Sequence, residues 1–332
     1  MAARNFKNLV FEGGGVKGIA YGGSLEVLDS LGILPNIERV GGTSAGAINA
    51  ALLAVGYTHG EMSDLISRTD FSEFADGGLL VSKISRLWRN FGINKGDVFK
   101  NFIREKIRAK TGNPDFTFRQ LAEKVSLKTP GFSYLYVIAT DLTNQHPLIF
   151  SHEESQHPDT PIGDAVRMSM SIPLYFMAAR YKESVMVDGG VSYNYAANIF
   201  DNKKYLSNPV NGDAGHYKNK NDLVFNYETL GFRLDSSEVI RYSLHDWAIP
   251  PQPTGNFKEF TAALLNFMME MANKAHLVEK DWNRTIFIDT LDVRTTEFKI
   301  SEIKIKALIK SGKECTEKYF SWRDKEWGRI PA

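Results

Sequence analysis

Apolar residues follow two different periods along this chain, and the switching between them predicts its elements. Leu9-Val10-Phe11 is a short continuous apolar run of the kind a buried strand makes, residues 13–18 are a glycine turn, and Ile19 onward reads as a helix to about Leu31. The same order then repeats. Ile37-Glu38-Arg39-Val40 reads as a short strand, residues 42–46 as a turn, and Ala45–Ala54 as a helix rich in alanine and leucine. Residues 57–130 read as mostly helical, with apolar positions at helical spacing in 84–88, 96–107 and 118–123 and a break at 71–78. Residues 132–140 are the stretch richest in β-branched and aromatic side chains, a strand that pairs with Pro147-Leu148-Ile149-Phe150 across a turn at 143–146. Residues 161–170 then read as a helix leading to Val185-Met186-Val187-Asp188, a short apolar strand that ends in two glycines.

Beyond this point the pattern changes. Residues 201–222 are polar and without apolar period, which predicts a long surface loop or flexible flap. Residues 224–234 read as a strand, 250–255 as a stiff proline-rich connector, Thr285–Asp289 as a strand and 301–322 as a terminal helix with lysines on its solvated face. Residues 257–275 form a long helix whose apolar side chains, from Phe257, Phe260 and Leu264 to Met269 and Met271, spread over more than one face. That spread, with no basic face, points to burial rather than to an interfacial helix. Strand and helix alternate, so the fold class is α/β: a three-layer α/β/α arrangement with a mostly parallel central sheet and helices on both faces. A site would lie at the C-terminal ends of its strands. Nothing divides the chain, so a single domain over 1–332 is expected, with its core motifs in 6–200.

Composition narrows the function classes. The 332 residues are 43% apolar and 24% charged, the balance of an ordinary globular protein. A net charge of +1 gives no reason to expect nucleic acid or a wholly basic membrane-binding face. One cysteine, Cys315, excludes an intrachain disulfide and a multi-cysteine metal site, and fits a reducing compartment. Residues 1–8 are short and polar, with no signal peptide, and no apolar run reaches membrane-spanning length. A cytoplasmic location, or export by a route that needs no signal peptide, is therefore expected.

Three stretches carry chemistry. Gly42-Thr43-Ser44-Ala45-Gly46 has the Gly-x-Ser-x-Gly pattern of a nucleophile elbow, a tight strand-to-helix turn that pushes a serine outward and needs small residues on both sides. Ser44 would sit at a helix N-terminus, where the dipole favours negative charge. Gly13-Gly14-Gly15-Val16-Lys17-Gly18 is an anion cradle, because consecutive glycines leave backbone N–H groups open at another helix start. The anion could be a pyrophosphate, since Gly13-x-Gly15-x-x-Gly18 satisfies the dinucleotide fingerprint with Glu38 at the distance of a ribose partner. It could equally be the oxyanion of an acyl-transfer intermediate. Ser44 favours the second, because a dinucleotide fold has no use for a second strained elbow. Asp188 is the candidate base: its glycines let the chain turn away without covering it, and desolvation would raise it from a reference pKa of about 3.9. A capping or turn aspartate is the plainer reading of Asp-Gly-Gly taken alone.

Together these stretches resemble the patatin-like phospholipase family. Its Gly-Gly-Gly-x-Lys/Arg-Gly motif appears as residues 13–18, its elbow as residues 42–46 and its Asp-Gly-Gly/Ala as Asp188-Gly189-Gly190. Two weaker landmarks, Ala139-Thr140-Asp141-Leu142 and Ser169-Met170-Ser171-Ile172-Pro173, also look familial, and the resemblance covers roughly residues 6–200. It implies a patatin-like fold and a Ser44–Asp188 dyad, without histidine, metal or cofactor, that hydrolyses acyl esters of lipids in the manner of a phospholipase A or lysophospholipase. The oxyanion hole would be drawn from Gly13, Gly14, Gly15 and Ala45, with Lys17 adding positive potential. The implied partner is a membrane lipid or glycerolipid met by peripheral, transient membrane contact, and some members need an activating protein. The aromatic residues of 57–130 are expected to pack the core rather than to line an acyl channel, and Asp141 to play a structural part. Two other readings compete. One is a Ser…Asp…His triad completed by His245 or His276. The other is a non-catalytic module that binds lipid or nucleotide.

Overall fold

The computed structural model describes residues 5–78, 80–217, 222–243 and 251–326. Its central sheet has eight strands: β1 (Asn8–Phe11), β2 (Arg39–Thr43), β3 (Tyr134–Asp141), β4 (His146–Phe150), β5 (Ala179–Tyr181), β6 (Ser184–Asp188), β7 (Thr229–Asp235) and β8 (Thr285–Asp289). The order is β8-β7-β1-β2-β3-β6-β5, with β4 also paired to β3. From β8 to β3 neighbouring strands are parallel, while β4, β6 and β5 join antiparallel, so the sheet is mostly parallel as expected.

Alternation along the strands feeds two cores. Leu9, Phe11, Val40, Leu135, Val137 and Phe232 face a large core covered by helices Tyr21–Ser30, Ala45–Ala54, Ile162–Ser169 and Glu302–Glu326. Val10, Tyr136 and Ile138 face a smaller one packed by Tyr193, Tyr195, Phe200 and Tyr205. Helices on both faces give the three-layer α/β/α architecture. The elbow helix has the predicted bounds, Ala45–Ala54. The strand before it does not: β2 starts at Arg39 and runs through Gly41 and Gly42, which pair with Val10 and Phe11 on one side and with Tyr136 and Val137 on the other. Glycines hide a central strand from a pattern that looks for apolar side chains.

Three further expectations need correction. Residues 201–217 are not a free flap. They carry 3-10 turns at Lys203–Tyr205 and Pro209–Asn211, and Gly212–Asp213 pairs antiparallel with Phe225–Asn226. The anchor is a buried ion pair in which Arg284 donates to both oxygens of Asp201 at 2.6 and 2.8 Å. Residues 218–221 lie outside the described part, as do 250 of the connector and 244–249. The long helix, Phe257–His276, is not buried all round either. Ala272 and Asn273 are covered, whereas Phe260, Leu264 and Phe267 are 53%, 44% and 54% exposed. The predicted strand over 224–234 is split into Phe225–Asn226 and β7 by a turn.

Candidate active site

Ser44 occupies the one position between β2 and the elbow helix, at φ 52°, ψ −121°, a backbone conformation that non-glycine residues rarely adopt. The two motif glycines make that turn sterically possible. A Cβ on Gly42 would lie 2.3 Å from the Gly46 carbonyl oxygen, and one on Gly46 would lie 2.2 Å from that of Phe11. The elbow is thus pressed against its own helix and against the end of β1, and the serine is only 3% exposed. Its amide donates to Ser169 Oγ at 2.8 Å, and Ser169 Oγ donates to the Ile138 carbonyl at 2.5 Å. Ser169 therefore ties the strained turn to β3. Only the resemblance pointed to its neighbourhood; no period or motif rule assigns it this part.

The sheet register brings Asp188 to the serine. β4 occupies one edge of β3 over residues 137–141, so β2 and β6 must share the other edge. There β2 runs parallel and ends with Thr43 opposite Ile138, while β6 runs antiparallel and ends with Asp188 opposite Ala139. The two C-terminal ends meet head to head on consecutive positions of β3. Asp188 Oδ1 accepts the Gly190 amide at 2.8 Å, and Thr140 Oγ1 donates to the Asp188 carbonyl at 2.9 Å. Oδ2 is buried and has no hydrogen bond of regular geometry. Burial pushes the Asp188 pKa up to about 6, while the Ser44 hydroxyl and the Gly190 amide pull the other way. A carboxylate held there is a much better proton acceptor near neutral pH than a solvated one. Asp141, by contrast, accepts the amide and side chain of Asn144 and the hydroxyl of Ser184, which makes it a turn-forming residue as expected.

The first glycine loop lies beside this pair. It continues not directly into an α-helix but through a 3-10 turn, Gly15–Ala20, before helix Tyr21–Ser30. Among the described residues the amides of Gly14, Gly15 and Ala45 donate to no acceptor, whereas that of Gly13 donates to the Asn194 carbonyl at 3.3 Å. Gly13 is thus a framework residue, and the open donors are the other three. Lys17 is half-buried on the cleft wall, where its charge acts on Glu270 as well. The loop is held by Glu12, whose carboxylate accepts from Asn194 Nδ2 (3.0 Å), Asn273 Nδ2 (2.7 Å) and the Leu234 amide (2.6 Å). Burial raises the Glu12 pKa, with the nearby Arg233 guanidinium opposing. One carboxylate so links β1, β7 and the long helix, and nothing local in the sequence marks it.

Two cavities meet at the serine. A narrow apolar pocket of about 80 Å³ runs from Gly15 and Ser44 over Ile48 and Leu52 to Met62, Phe74 and Phe102. A larger cleft of about 420 Å³, more polar, contains Gly14, Lys17, Ser44, Asp188, Asn194 and Glu270. Gly15, Ser44 and Ile172 border both. The aromatic residues of the helical region do two jobs: Phe74 stacks edge-on against Phe99 and Phe102, and all three line the apolar pocket.

Among the described residues, neither His276 nor Glu38 stands where a histidine triad or a nucleotide site would need it. His276 Nε2 lies 3.2 Å from the Ser192 carbonyl and its ring packs on Tyr193, and no histidine among the described residues borders either cavity. His245 lies outside the described residues. Glu38 precedes β2, at the opposite end of the sheet from the glycine loop, and pairs with Lys7 and Arg39 at 3.1 and 3.2 Å. It is not a ribose ligand for that loop.

The chain is similar to known proteins. Residues 9–201 match the patatin-like phospholipase family. The uncharacterized protein YqhO of Bacillus subtilis (strain 168) is 32% identical over 96% of this chain and 98% of its own length. The probable lipid hydrolase 463L of invertebrate iridescent virus 6 is 25% identical over 73% of this chain and 74% of its own. Among solved structures, VipD from Legionella pneumophila has the same fold, with a TM-score of 0.56 and 20% identity over 96% of this chain and 67% of VipD. The match over more than half of the chain shows that it belongs to the patatin-like phospholipase family, a family of lipid hydrolases.

Proposed function

We propose that the chain is a lipid acyl hydrolase, of phospholipase A or lysophospholipase type, that works through a Ser44–Asp188 dyad. The observation that carries this reading is the position of Ser44, on a strained elbow where an apolar pocket and a polar cleft join. A fatty-acyl chain in the pocket and a glycerol head group in the cleft would set the ester carbonyl over Ser44. Asp188 takes the Ser44 proton as the hydroxyl oxygen attacks, and the amides of Gly14, Gly15 and Ala45 receive the oxyanion. Collapse expels the alcohol, which leaves with the proton from Asp188. Water then attacks the acyl-serine, with Asp188 again as base, and fatty acid is released. The catalytic unit is proposed to be the chain as a whole, since Leu234 in β7 and Asn273 in the long helix both hold Glu12 at the glycine loop.

The test is fatty-acid release from dispersed phospholipids and from acyl esters of graded length. Wild type should release fatty acid and Ser44→Ala should not. Leu65→Trp, on the helix wall of the apolar pocket, should cut kcat/KM for long acyl chains roughly ten- to a hundred-fold, the value of two to three buried methylenes, and spare butyryl esters. Equal losses at every chain length would show that the pocket does not hold the acyl chain.

A further inference from the structure

Among the described residues, three apolar residues have a positive φ: Phe91 (63°), Leu174 (66°) and Leu291 (54°). All three are exposed, by 50%, 39% and 39%. The left-handed region is unfavourable for bulky side chains, and the others found there are Ser44 and the polar Lys128, Gln145, His157 and Lys182. Phe91 and Leu174 adjoin. The Leu174 amide donates to the Phe91 carbonyl at 3.2 Å, and the short strands Gly92–Asn94 and Leu174–Phe176 pair beside them. Trp88, in the last turn of helix Leu80–Asn90, is 81% exposed next to a half-buried Leu87. This apolar patch adjoins the active-site cleft in the chain, because Leu174 directly follows Ile172 and Pro173, which line it. The helix that lines the cleft through Asn266 and Met269 also exposes Phe260, Leu264 and Phe267.

Charge says what the patch fits. Residues 80–96 contain Lys83, Arg86, Arg89 and Lys95 and no acidic residue. Among the described residues, Lys83, Arg89 and Lys95 pair with no carboxylate. Asp76, the acid before the run, is taken up by the amides of Gly96, Asp97 and Val98. Exposed tryptophan and phenylalanine flanked by unpaired cations match the head-group level of an anionic bilayer, where aromatic rings settle and each cation adds attraction. A second copy of the chain would bring the same cations face to face.

We propose that this rim docks on an anionic lipid bilayer, with Trp88, Phe91 and Leu174 entering the interface and Lys83, Arg89 and Lys95 meeting lipid phosphates. The proposal rests on the reading of the site as a lipid hydrolase, since docking there would open the Ser44 cleft toward its substrate. Flotation of the Ser44→Ala chain with phosphatidylcholine vesicles, with and without phosphatidylglycerol, tests it. Binding is expected to the anionic vesicles, to fall in high salt, and to drop roughly tenfold or more in Trp88→Ser and in Arg89→Glu/Lys95→Glu. Val210→Ser, at a 77% exposed site outside the rim, should bind unchanged. With Ser44 intact, Trp88→Ser should turn over a short water-soluble ester as wild type does. Vesicle binding unaffected by Trp88→Ser, equal binding to neutral vesicles, or a dimer lost with Trp88→Ser would each overturn the docking surface. If wild type turns over the soluble ester but binds no vesicle, docking alone fails. If vesicles are bound as expected and no ester is hydrolysed, docking stands and the hydrolase reading fails.

Discussion

Replacing Asp188 with asparagine should abolish ester hydrolysis and, at the same time, make the fold more stable at neutral pH. Burial lifts this carboxyl from 3.8 to about 6, a difference of roughly 2 units or about 3 kcal/mol between its two protonation states. The folded state therefore binds the proton more tightly than the unfolded chain. The stability this contributes is complete below about pH 4 and is lost as pH rises through about 6. Asparagine keeps an oxygen for the Gly190 amide and cannot ionise, so it removes the cost of the buried charge. Urea unfolding should give Asp188→Asn the higher stability at pH 7, by up to about 3 kcal/mol, with the gap closing toward pH 4. Activity follows the opposite sense. As the proposed base, Asp188 works only when ionised, so wild-type kcat/KM should rise with pH through about 6 and level off, standing near a tenth of its plateau at about pH 5. The asparagine variant should lose on the order of a thousand-fold or more at every pH. An Asp188→Asn chain less stable than wild type at pH 7, or a rate profile flat between pH 4 and 7, would contradict this account of the residue.

Gly46→Ala should be severely damaging despite adding a single carbon. Alanine is the better helix former by about 1 kcal/mol, so the intrinsic effect is favourable. Here the added carbon would sit 2.2 Å from the Phe11 carbonyl oxygen and 2.6 Å from that of Glu12, both backbone atoms of the central strand and the glycine loop. Neither can retreat without shifting the glycine loop, so a loss of about 3 kcal/mol or more is expected, with activity lost as well. Gly60→Ala is the control. Its Cβ would meet nothing within 4 Å on helix His59–Arg68, and thermal unfolding should show no loss or a gain of up to about 1 kcal/mol. If both variants unfold alike, the close approach of elbow helix and β1 does not support the turn.

The elements nearest the site were legible because their signals are local. A glycine either side of a serine, an alanine-rich run after it and an apolar strand closed by Asp-Gly-Gly each need only a few adjacent residues to be read. Even so, periodicity could not tell that β6 runs antiparallel, and the head-to-head meeting of Thr43 and Asp188 depends on that direction. Glu12 and Ser169 were missed for the same reason. Their partners, Asn273 and Ser44, lie 261 and 125 residues away.

Residues 201–217 look like a flap because their composition is polar, yet Asp201 is buried by an arginine 83 positions later. A buried ion pair leaves no apolar trace in the chain. The long helix shows the converse. Its phenylalanines and leucines fit a core, but how far neighbours cover Phe260, Leu264 and Phe267 is a tertiary fact, and these side chains stay about half exposed. Gly13 was grouped with its neighbours because the motif treats three glycines alike, while the structure commits its amide to Asn194.

The central claim is that Ser44 is a nucleophile activated by Asp188. The most direct measurement is the intact mass, and then the peptide map, of the chain after exposure to a long-chain alkyl fluorophosphonate. The expected result is a single adduct on Ser44, absent from Ser44→Ala and formed far more slowly in Asp188→Asn, with the wild-type rate rising through about pH 6. An adduct on another residue, or labelling of Ser44 at an undiminished rate in Asp188→Asn, would contradict it.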